Sequence, residues 1–366
     1  MDVKRFSRRS PGDLVLTVGG EKAFVPNALP PNWTFPGELW PLLAEAKQQV
    51  GILEGVGRLL PNPGLLLRPL EDREAIQSSR LEGTFASPRE LLLFEIDQPE
   101  STSEDDPANS WREVYNYRRA LHLATNSELP LSLRLIREVH AELLFAVRGR
   151  DRSPGNFRRV QVYIGSSHRF IPPPPQHLPE LLDNFEKYLN VTSSGYDPLV
   201  DAFLAHYQFE CIHPFLDGNG RVGRLLLAIT FQRRCGLSKP WLYLSEYFEA
   251  HRDEYVEHLF NVSAKADWNS WVSFCLRGVL QQARDAIQRC DLLRDIKNRY
   301  AKLLDATGGT IRLNQIVDSL FYSPYVQVTN LAKQLSVSYP TAKADLDRLV
   351  QSGILAELPN ASPKTF

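Results

Sequence analysis

Apolar residues recur at intervals of three and four positions through most of residues 111–289. This spacing gives an α-helix one apolar face, which must be buried against a neighbouring element. Examples are the segments WREVYNYRRALHLA, SLRLIREVHAELLF and LPELLDNFEKYLN. Several such helices in succession bury their faces together in a bundle. The sequence therefore predicts a mainly α-helical protein.

The composition is typical of a globular protein without a membrane span. The chain has 366 residues, 43% of them hydrophobic and 23% charged, which suits about two or three domains. A net charge of −1 gives no overall field that would attract nucleic acid or an anionic membrane. The four cysteines form no CxxC pair, and no stretch reaches the ~18 apolar residues of a membrane helix. We expect a cytoplasmic protein with reduced thiols.

The regions around the helical body have different patterns. The first forty residues are rich in proline and indicate an extended arm lying over the rest of the chain. Helices are predicted over residues 38–60 and 73–81 and after Ser87, followed by a polar linker at residues 98–110. Residues 328–358 read as helix, short turn, helix and then GILAEL as a strand, a winged helix-turn-helix pattern.

One segment interrupts the helical pattern of the body. Residues 160–165, VQVYIG, alternate as a β-strand does, Ser166 and Ser167 supply a turn, and HRFIPPPP returns. This predicts a small β-hairpin that ends in a proline run.

The motif HPFLDGNGRVGR, residues 213–224, follows one apolar helix and leads into another. Gly218 and Gly220 on either side of Asn219 allow backbone N–H groups to converge on one anion. The helix that begins near Arg221 adds its unpaired N–H groups and the positive end of its dipole. Arg224 lies one turn further along, so both guanidinium groups can reach the same phosphates.

Two other side chains of this motif suit different chemistry. Asp217 offers a hard oxygen ligand for a magnesium ion shared with phosphates. His213 can accept a proton near neutral pH. Each residue taken singly has an ordinary alternative: a structural histidine, a tight Asp-Gly-Asn-Gly turn or a surface arginine. Together they predict transfer of a group from a nucleoside triphosphate to a hydroxyl, in a loop that lacks the P-loop pattern.

The motif resembles the Fic family signature, H-P-F-x-[D/E]-G-N-G-R-x-x-R, at every defined position. The resemblance implies a Fic-fold helical bundle that transfers AMP from ATP to a Ser, Thr or Tyr hydroxyl of a target protein, with Mg²⁺ or Mn²⁺. It implies a role for each motif residue: His213 as general base, Asp217 as metal ligand, Gly218, Asn219 and Gly220 as the phosphate-binding nest, Arg221 on the α- and β-phosphates and Arg224 on the γ-phosphate.

The resemblance extends to residues on both sides of the motif. SPGNFR, residues 153–158, and the hairpin after it are similar to the family's lead-in and flap, which binds the target's main chain. A hairpin that only caps the core is the alternative. Tyr255 and Leu259 lie one turn apart and are our choice for the adenine face, with core packing as the alternative. The flap residues chosen on this basis are Val160, Val162, Ile164 and Gly165.

A second motif lies upstream, in SSRLEG. Ser78, Glu82 and Gly83 match the family's inhibitory pattern [S/T]-x-x-x-E-[G/N]. Ser78 and Glu82 share one helix face, and Gly83 suits a helix C-terminus. The resemblance implies that Glu82 pairs with Arg224 and blocks the γ-phosphate position, while a plain surface helix is the alternative. In some family members the same carboxylate also supports removal of AMP.

Three domains are therefore expected: residues 1–105 with the arm and inhibitory helix, 106–300 as the Fic core and 301–366 as the winged helix-turn-helix. The alternative function is a winged-helix DNA-binding regulator in which the Fic body is a sensor or dimerisation platform. Binding of nucleic acid is disfavoured, because the bases in residues 330–352 barely exceed the acids. These residues are Lys333, Lys343, Arg348, Asp345 and Asp347.

A phosphorylating enzyme like the Doc subgroup is also disfavoured, because that subgroup has Ala-Asn-Lys-Arg in place of Gly-Asn-Gly-Arg. The identity of the target protein, the net direction of the reaction and the oligomeric state, with a homodimer as one option, stay open.

Overall fold

The computed structural model describes residues 1–60, 63–101, 103, 106–147, 153–165, 168–306, 308–321, 323–358 and 365–366. Over these residues the chain is mainly helical, as predicted, with fourteen α-helices and a two-stranded antiparallel sheet. The strands are β1 (Gly12–Leu16) and β2 (Lys22–Pro26). The helices are α1 (Trp40–Leu59), α2 (Gly64–Leu81), α3 (Pro88–Asp97), α4 (Pro107–Asn126), α5 (Leu133–Leu143), α6 (Leu178–Leu189), α7 (Pro198–Ile212), α8 (Asn219–Arg234), α9 (Ser245–Ala250), α10 (Arg252–Lys265), α11 (Trp268–Ala306), α12 (Ile311–Leu320), α13 (Val328–Leu335) and α14 (Tyr339–Gln351).

Helix α7 lies at the centre of the main core and packs against α8. Apolar residues occur on all sides of α7, and nearly every one of its side chains is buried. A helix that is apolar all round has no solvent face and is enclosed by its neighbours. The loop between α7 and α8, which carries the HPFLDGNGRVGR motif, therefore starts and ends on a rigid scaffold.

Helix α2 is longer than the pattern predicts. It begins at Gly64 rather than near residue 73, and Pro69 lies inside it. A proline inside a helix removes one helical hydrogen bond, but packing against α4 and α9 keeps this helix continuous. The short helix after Ser87 is present as α3, with a capping box between Ser87 and Glu90.

The N-terminal arm contains the only regular sheet among the described residues. β1 pairs with β2 in a register that places Gly12 opposite Pro26, a pairing that sequence reasoning missed. The arm lies over the segment that returns from the predicted flap, since the Phe24 N–H donates to the Ile171 carbonyl at 2.9 Å. The arm therefore supports one side of that flap.

The predicted flap hairpin is reduced to one bridge among the described residues. Ile164 pairs with Phe170, with backbone hydrogen bonds of 2.9 and 3.1 Å, and the predicted turn at Ser166 and Ser167 lies outside those residues. The segment that returns from the predicted flap continues into four prolines, which have no N–H to donate to a ladder. The Gln161 side chain instead donates to the carbonyls of Val162 and Pro172.

The C-terminal helices have a core of their own. Side chains from α12, α13 and α14 pack together with Leu304 of α11 and with Phe366. The strand predicted for GILAEL is wrong within the described residues, where the segment has no strand pairing. Its first residues donate back to the end of α14, and Leu358 donates to the Thr365 carbonyl. Thr365 also bridges to Gln327. A strand needs a continuous ladder with a neighbour, and this short bridge does not supply one.

The expected domain boundaries stay predictions. The boundary at 300/301 falls within α11, which continues to Ala306. Residues on both sides of the boundary at 105/106 share the main core, and α4 already begins at Pro107, inside the predicted linker. Among the described residues, none of the helices combines the length and hydrophobicity that a membrane span requires.

Candidate active site

His213 ends α7 in a left-handed conformation, with φ 50°. Its imidazole Nδ1 lies 3.3 Å from the Glu210 carbonyl, which can only accept, so Nδ1 carries the proton and Nε2 keeps its lone pair. Burial lowers the pKa of His213 to about 4. The Arg158 Nε donates to the His213 carbonyl at 2.8 Å and fixes the backbone at this point. The imidazole is therefore neutral at pH 7 and able to take up a proton.

The motif loop is held in place by buried side chains that hydrogen-bond to its backbone. The Asn219 amide accepts from the Phe215 N–H at 2.8 Å and donates to the Phe215 carbonyl at 2.9 Å. His140 stacks on the Phe215 ring at 3.7 Å, accepts from the Gly155 N–H at 2.8 Å and donates to the Asp217 carbonyl at 3.0 Å. The side chain of Asn219 thus shapes the loop, and only its backbone remains for an anion.

The start of α8 has the geometry expected of an anion nest. Gly218 has φ 74°, a left-handed conformation that glycine adopts without strain, and α8 begins at the next residue. No hydrogen bond within the described part of the chain takes up the N–H groups of Asn219, Gly220 and Arg221. Three unpaired N–H groups in the first turn of a helix favour an anion.

The first motif arginine, Arg221, is buried and held by a residue that sequence reasoning missed. Its guanidinium donates to Glu113 of α4 at 3.2 Å and lies 3.9 Å from the Asp217 carboxylate. Glu113 is itself buried and accepts from the Thr84 hydroxyl at 2.8 Å. Glu113 falls in the middle of an ordinary helical pattern, so nothing local marked it.

The second motif arginine, Arg224, is joined to the end of α2. Its Nε donates to the Ser78 hydroxyl at 2.8 Å, and one terminal nitrogen donates to the Ser78 carbonyl and to Glu82, both at 2.8 Å. Burial alone would raise the pKa of Glu82, but the Arg224 guanidinium outweighs it and lowers the pKa below its usual value. Gly83 follows with φ 84° and ends the helix. The contact expected between Glu82 and Arg224 is present.

A cleft of about 450 Å³ joins residues from four of the predicted groups. Glu82 lies over Gly220, where an added Cβ atom would overlap its carboxylate. The predicted flap contributes Ile164 and Gly165, whereas Val160 and Val162 are not in the wall. Predicted residues in the wall are Glu82, Ile164, Gly165, His213, Gly220, Arg224, Tyr255 and Leu259.

The two adenine-face candidates differ in burial. Tyr255 is buried, and its hydroxyl lies 2.9 Å from the Nε2 of His206. Leu259 is half-buried and leaves part of its side chain in the cleft. Tyr255 thus both packs in the core and forms the floor of the cleft, so the two readings of the sequence are not exclusive for it.

Asp217 is the residue whose chemistry fits a metal ion. Its carboxylate accepts from the Gly218 N–H at 2.7 Å, and its side chain is 40% exposed. No group of three or more metal-ligating side chains occurs in the described ranges. One carboxylate is enough for magnesium only where phosphates and water supply the other ligands.

Arg158 and Glu210 are two more residues that sequence reasoning missed. Arg158 is buried and donates to the carbonyls of Ile212, His213, Pro173 and Val160, which connects the motif loop to the flap. Arg158 lies in the SPGNFR segment, and its place in that segment was the signal by which the sequence could have identified it. Glu210 lines the cleft three residues before His213.

Comparison with known proteins places these features in a family. Residues 40–126 match the family model described as Fic/DOC family N-terminal, and residues 130–230 match the Fic/DOC family model. Protein adenylyltransferase Fic of Drosophila grimshawi is 41% identical over 107 residues, 29% of this chain and 21% of that protein. The namesake from Aedes aegypti is 36% identical over 145 residues, 39% of this chain and 27% of that protein. The chain thus spans about a quarter of the length of these relatives.

Solved structures share the fold over more of the chain. A Fic family protein from Desulfovibrio desulfuricans G20 has a TM-score of 0.60 at 20% identity, over 92% of this chain and 97% of that one. Fic-1 (aa134–508) from C. elegans has a TM-score of 0.55 at 23% identity, over 69% of this chain and 75% of that one. With both family models matched over more than half of its residues, this chain belongs to the Fic/DOC family.

Proposed function

We propose that this protein transfers AMP from ATP to a hydroxyl of a target protein, and that α2 restrains the reaction. One observation carries the proposal: the base His213, the nest at Gly220 and the arginine Arg224 face a single cleft, and Glu82 occupies it between them. The names of the relatives, which are protein adenylyltransferases, support the choice of AMP as the transferred group.

The chemical step follows from the state of His213. Its Nε2 lone pair takes the proton of the acceptor hydroxyl as the oxygen attacks the α-phosphorus of ATP. The bond between that phosphorus and the oxygen leading to the β-phosphate breaks, and pyrophosphate leaves. A neutral imidazole at pH 7 suits this role because it need not first lose a proton.

The nest and the two arginines bind the phosphates. The N–H groups of Asn219, Gly220 and Arg221 point to one region at the start of α8, and Arg221 and Arg224 flank it. Preorganised donors of this kind stabilise charge that develops on the phosphoryl oxygens. Asp217 would hold Mg²⁺ or Mn²⁺, which, when bound, neutralises charge on the phosphates.

Glu82 is the proposed brake. Its carboxylate occupies the Arg224 donor that a γ-phosphate would need, and it lies over Gly220. A nucleotide that binds beside it lacks one charge-assisted contact and sits with its α-phosphorus displaced from the line of attack. Whether the same carboxylate promotes removal of AMP is a separate arm of the test below.

The acceptor would be held by the flap. Residues 161–163 have no regular secondary structure, and their backbone makes no ladder within the described part of the chain. An exposed extended edge can pair with the main chain of a target and bring a hydroxyl to His213. Ile164 and Gly165, at the end of this edge, already line the cleft.

Neither alternative gains support from a specific observation. Lys343 of α14 is paired with Asp347 at 2.7 Å, and Arg312 of α12 is paired with Asp345, so two bases of the C-terminal helices are already paired and less available to a phosphate backbone. Phosphoryl transfer would require a different loop chemistry from the Gly-Asn-Gly-Arg of this motif. Nucleic-acid binding therefore stays disfavoured, and the cellular compartment stays a prediction.

The test uses labelled ATP with wild type, Glu82→Gly and Glu82→Gly/His213→Ala, followed by mass spectrometry of the protein and of a lysate. We expect a mass gain of one AMP on a hydroxyl side chain, strongest for Glu82→Gly. Loss of the general base should lower transfer by ~10²–10⁴-fold while ATP binding persists. Substantial transfer by the folded His213→Ala double variant would refute the base, and release of AMP in a chase reports the reverse activity. Asp217→Ala should abolish the transfer that depends on magnesium. Transfer that persists in EDTA would refute the role of a metal ion.

A further inference from the structure

The hydrogen bonds that hold Arg224 come from one place. Its Nε donates to the Ser78 hydroxyl, and one terminal nitrogen donates to the Ser78 carbonyl and the Glu82 carboxylate. Both acceptor residues belong to the end of α2. The Arg224 side chain is only 3% exposed while Glu82 covers it. Release of Glu82 would leave a buried guanidinium without a counter-ion, unless a second acid is present.

Glu210 is that second acid. It lies on α7, lines the same cleft and reaches across to α8, where an added Cβ atom at Gly223 would overlap its carboxylate. Its Oε1 atom is buried and has no hydrogen-bond partner in the described ranges. A buried acceptor without a donor is costly, so such a group calls for an explanation in function.

We propose that Glu210 is a positioning residue that replaces Glu82 as the carboxylate partner of Arg224 when Glu82 leaves the cleft. The exchange keeps the guanidinium charge matched and directs its remaining donors toward the phosphates. This inference rests on the proposed function, since the release of Glu82 is the activating event. It differs from the brake itself, because Glu210 acts only after the brake is released.

The charges around Glu210 support an exchange. The groups that face it are Arg224 from α8, Glu82 from the end of α2 and the Tyr255 hydroxyl from α10. Burial raises the pKa of Glu210 to about 7; Arg224 opposes this and Glu82 adds to it. When Glu82 is gone, its repulsion is gone as well and Arg224 still attracts the carboxylate, so the pKa of Glu210 falls and its ionised form is favoured as the counter-ion.

The experiment is a double-mutant cycle on ATP binding, measured by calorimetry at pH 7.5 with wild type, Glu82→Gly, Glu210→Gln and Glu82→Gly/Glu210→Gln. We expect the double variant to bind ATP about tenfold more weakly than Glu82→Gly, the size of one hydrogen bond to a charged group. In the wild-type background Glu210→Gln should change the affinity by less than about twofold, because Glu82 still holds Arg224. An equal loss in both backgrounds, or none in either, overturns the proposal.

Two further variants separate positioning from folding. Glu71→Gln is the matched control, because burial also raises the pKa of Glu71 to about 7 and its charged neighbours lie elsewhere. It should leave ATP affinity unchanged in the Glu82→Gly background. Glu210→Asp keeps the charge with a shorter reach and should retain more affinity than Glu210→Gln. The reverse order of these two variants contradicts an electrostatic role, even if either one lowers stability.

A pH series gives a readout that packing alone would not move. The unfolded Glu210 ionises near its ordinary pKa, whereas the folded group keeps its proton until about pH 7, so its contribution to stability falls as pH rises between these values. The melting temperature of Glu210→Gln relative to wild type should therefore rise from pH 5 to pH 8. In the Glu82→Gly background this rise should be smaller, because the repulsion from Glu82 that adds to the raised pKa is absent. Because binding and melting require no AMP transfer, absence of transfer would refute the proposed function and leave this test intact.

Discussion

Two arginines of the same motif, one turn apart on α8, are each held by a glutamate, and the two environments differ. Arg221 meets Glu113, whose side chain is 9% exposed and lies in the middle of α4. Arg224 meets Glu82, whose side chain is 38% exposed and follows the last residue of α2. The first partner cannot leave without disrupting a helix, whereas the second lies just past the end of one.

The difference separates a fixed contact from a removable one. Glu113 accepts a second hydrogen bond, from Thr84, and so stays in place whatever the cleft contains. Glu82 lies in the cleft itself, where a nucleotide would compete for the same donor of Arg224. We therefore interpret Arg221 as permanently arranged for phosphate and Arg224 as conditionally available.

The largest expected effect is on folding stability. Glu113→Ala leaves the buried Arg221 guanidinium without its carboxylate and should lower the free energy of unfolding by about 3–5 kcal/mol. Glu82→Ala should lower it by about 1 kcal/mol or less, because that carboxylate is partly in water. Urea unfolding of both variants measures the difference. Equal losses would remove the distinction between the two partners.

The next largest effect is on transfer. Glu82→Gly frees Arg224 for the γ-phosphate and should raise AMP transfer on the order of 10²-fold, the scale of a corrected alignment. Glu113→Gln is the matched variant at the other arginine and should not raise transfer at all. Rates with labelled ATP decide the matter, and activation of both variants would show that neither site is a specific brake.

A smaller effect should come from the hydroxyl groups behind each pair. Ser78→Ala removes the acceptor of the Arg224 Nε, and Thr84→Val removes a donor to Glu113. Each loses one hydrogen bond to a charged group, worth about 1.5–3 kcal/mol in the free energy of unfolding. Only Ser78→Ala should also raise transfer, because it loosens the removable pair. Transfer assays beside thermal melts distinguish the two, and activation by Thr84→Val would contradict the assignment.

The smallest effect should be that of pH on the released enzyme. Burial lowers the pKa of His213 to about 4, so the base is already neutral at pH 6. Transfer by Glu82→Gly should change by less than about twofold between pH 8 and pH 6, whereas a base with an ordinary pKa near 6.5 would lose most of its activity there. A rate profile settles this, and a midpoint near pH 6.5 would place His213 in water rather than in a buried site.

The sequence predicted the contact between Glu82 and Arg224 because both residues belong to patterns with a known spatial relation. It could not predict Glu113 or Glu210, which occupy ordinary positions in helical patterns and acquire their roles only from packing. A glutamate in an amphipathic helix is usually a solvent-facing charge, and nothing in the local spacing separates these two from that class.

The strands were predicted least well, for a different reason. Alternation in residues 160–165 suggested a ladder, but pairing depends on the partner, and the partner here is rich in proline. In the N-terminal arm the reverse occurred: Gly19 and Gly20 are a hairpin signal between two apolar runs, and the prolines nearby obscured it. Helix periodicity survives such contexts better, since helical hydrogen bonds are local.

Helix α11 joins the main core to the C-terminal core without a break. Its 39 residues correspond to about 58 Å of straight helix, with Trp268 buried at one end and Leu304 in the second core near the other. Such a rod behaves as a lever arm. A tilt of about 5° at its base moves the far end by about 5 Å, nearly one helical pitch. Conversely, a force applied to α12–α14 would tilt the half of α11 that packs in the main core, where Tyr247 of α9 lies against Gly278.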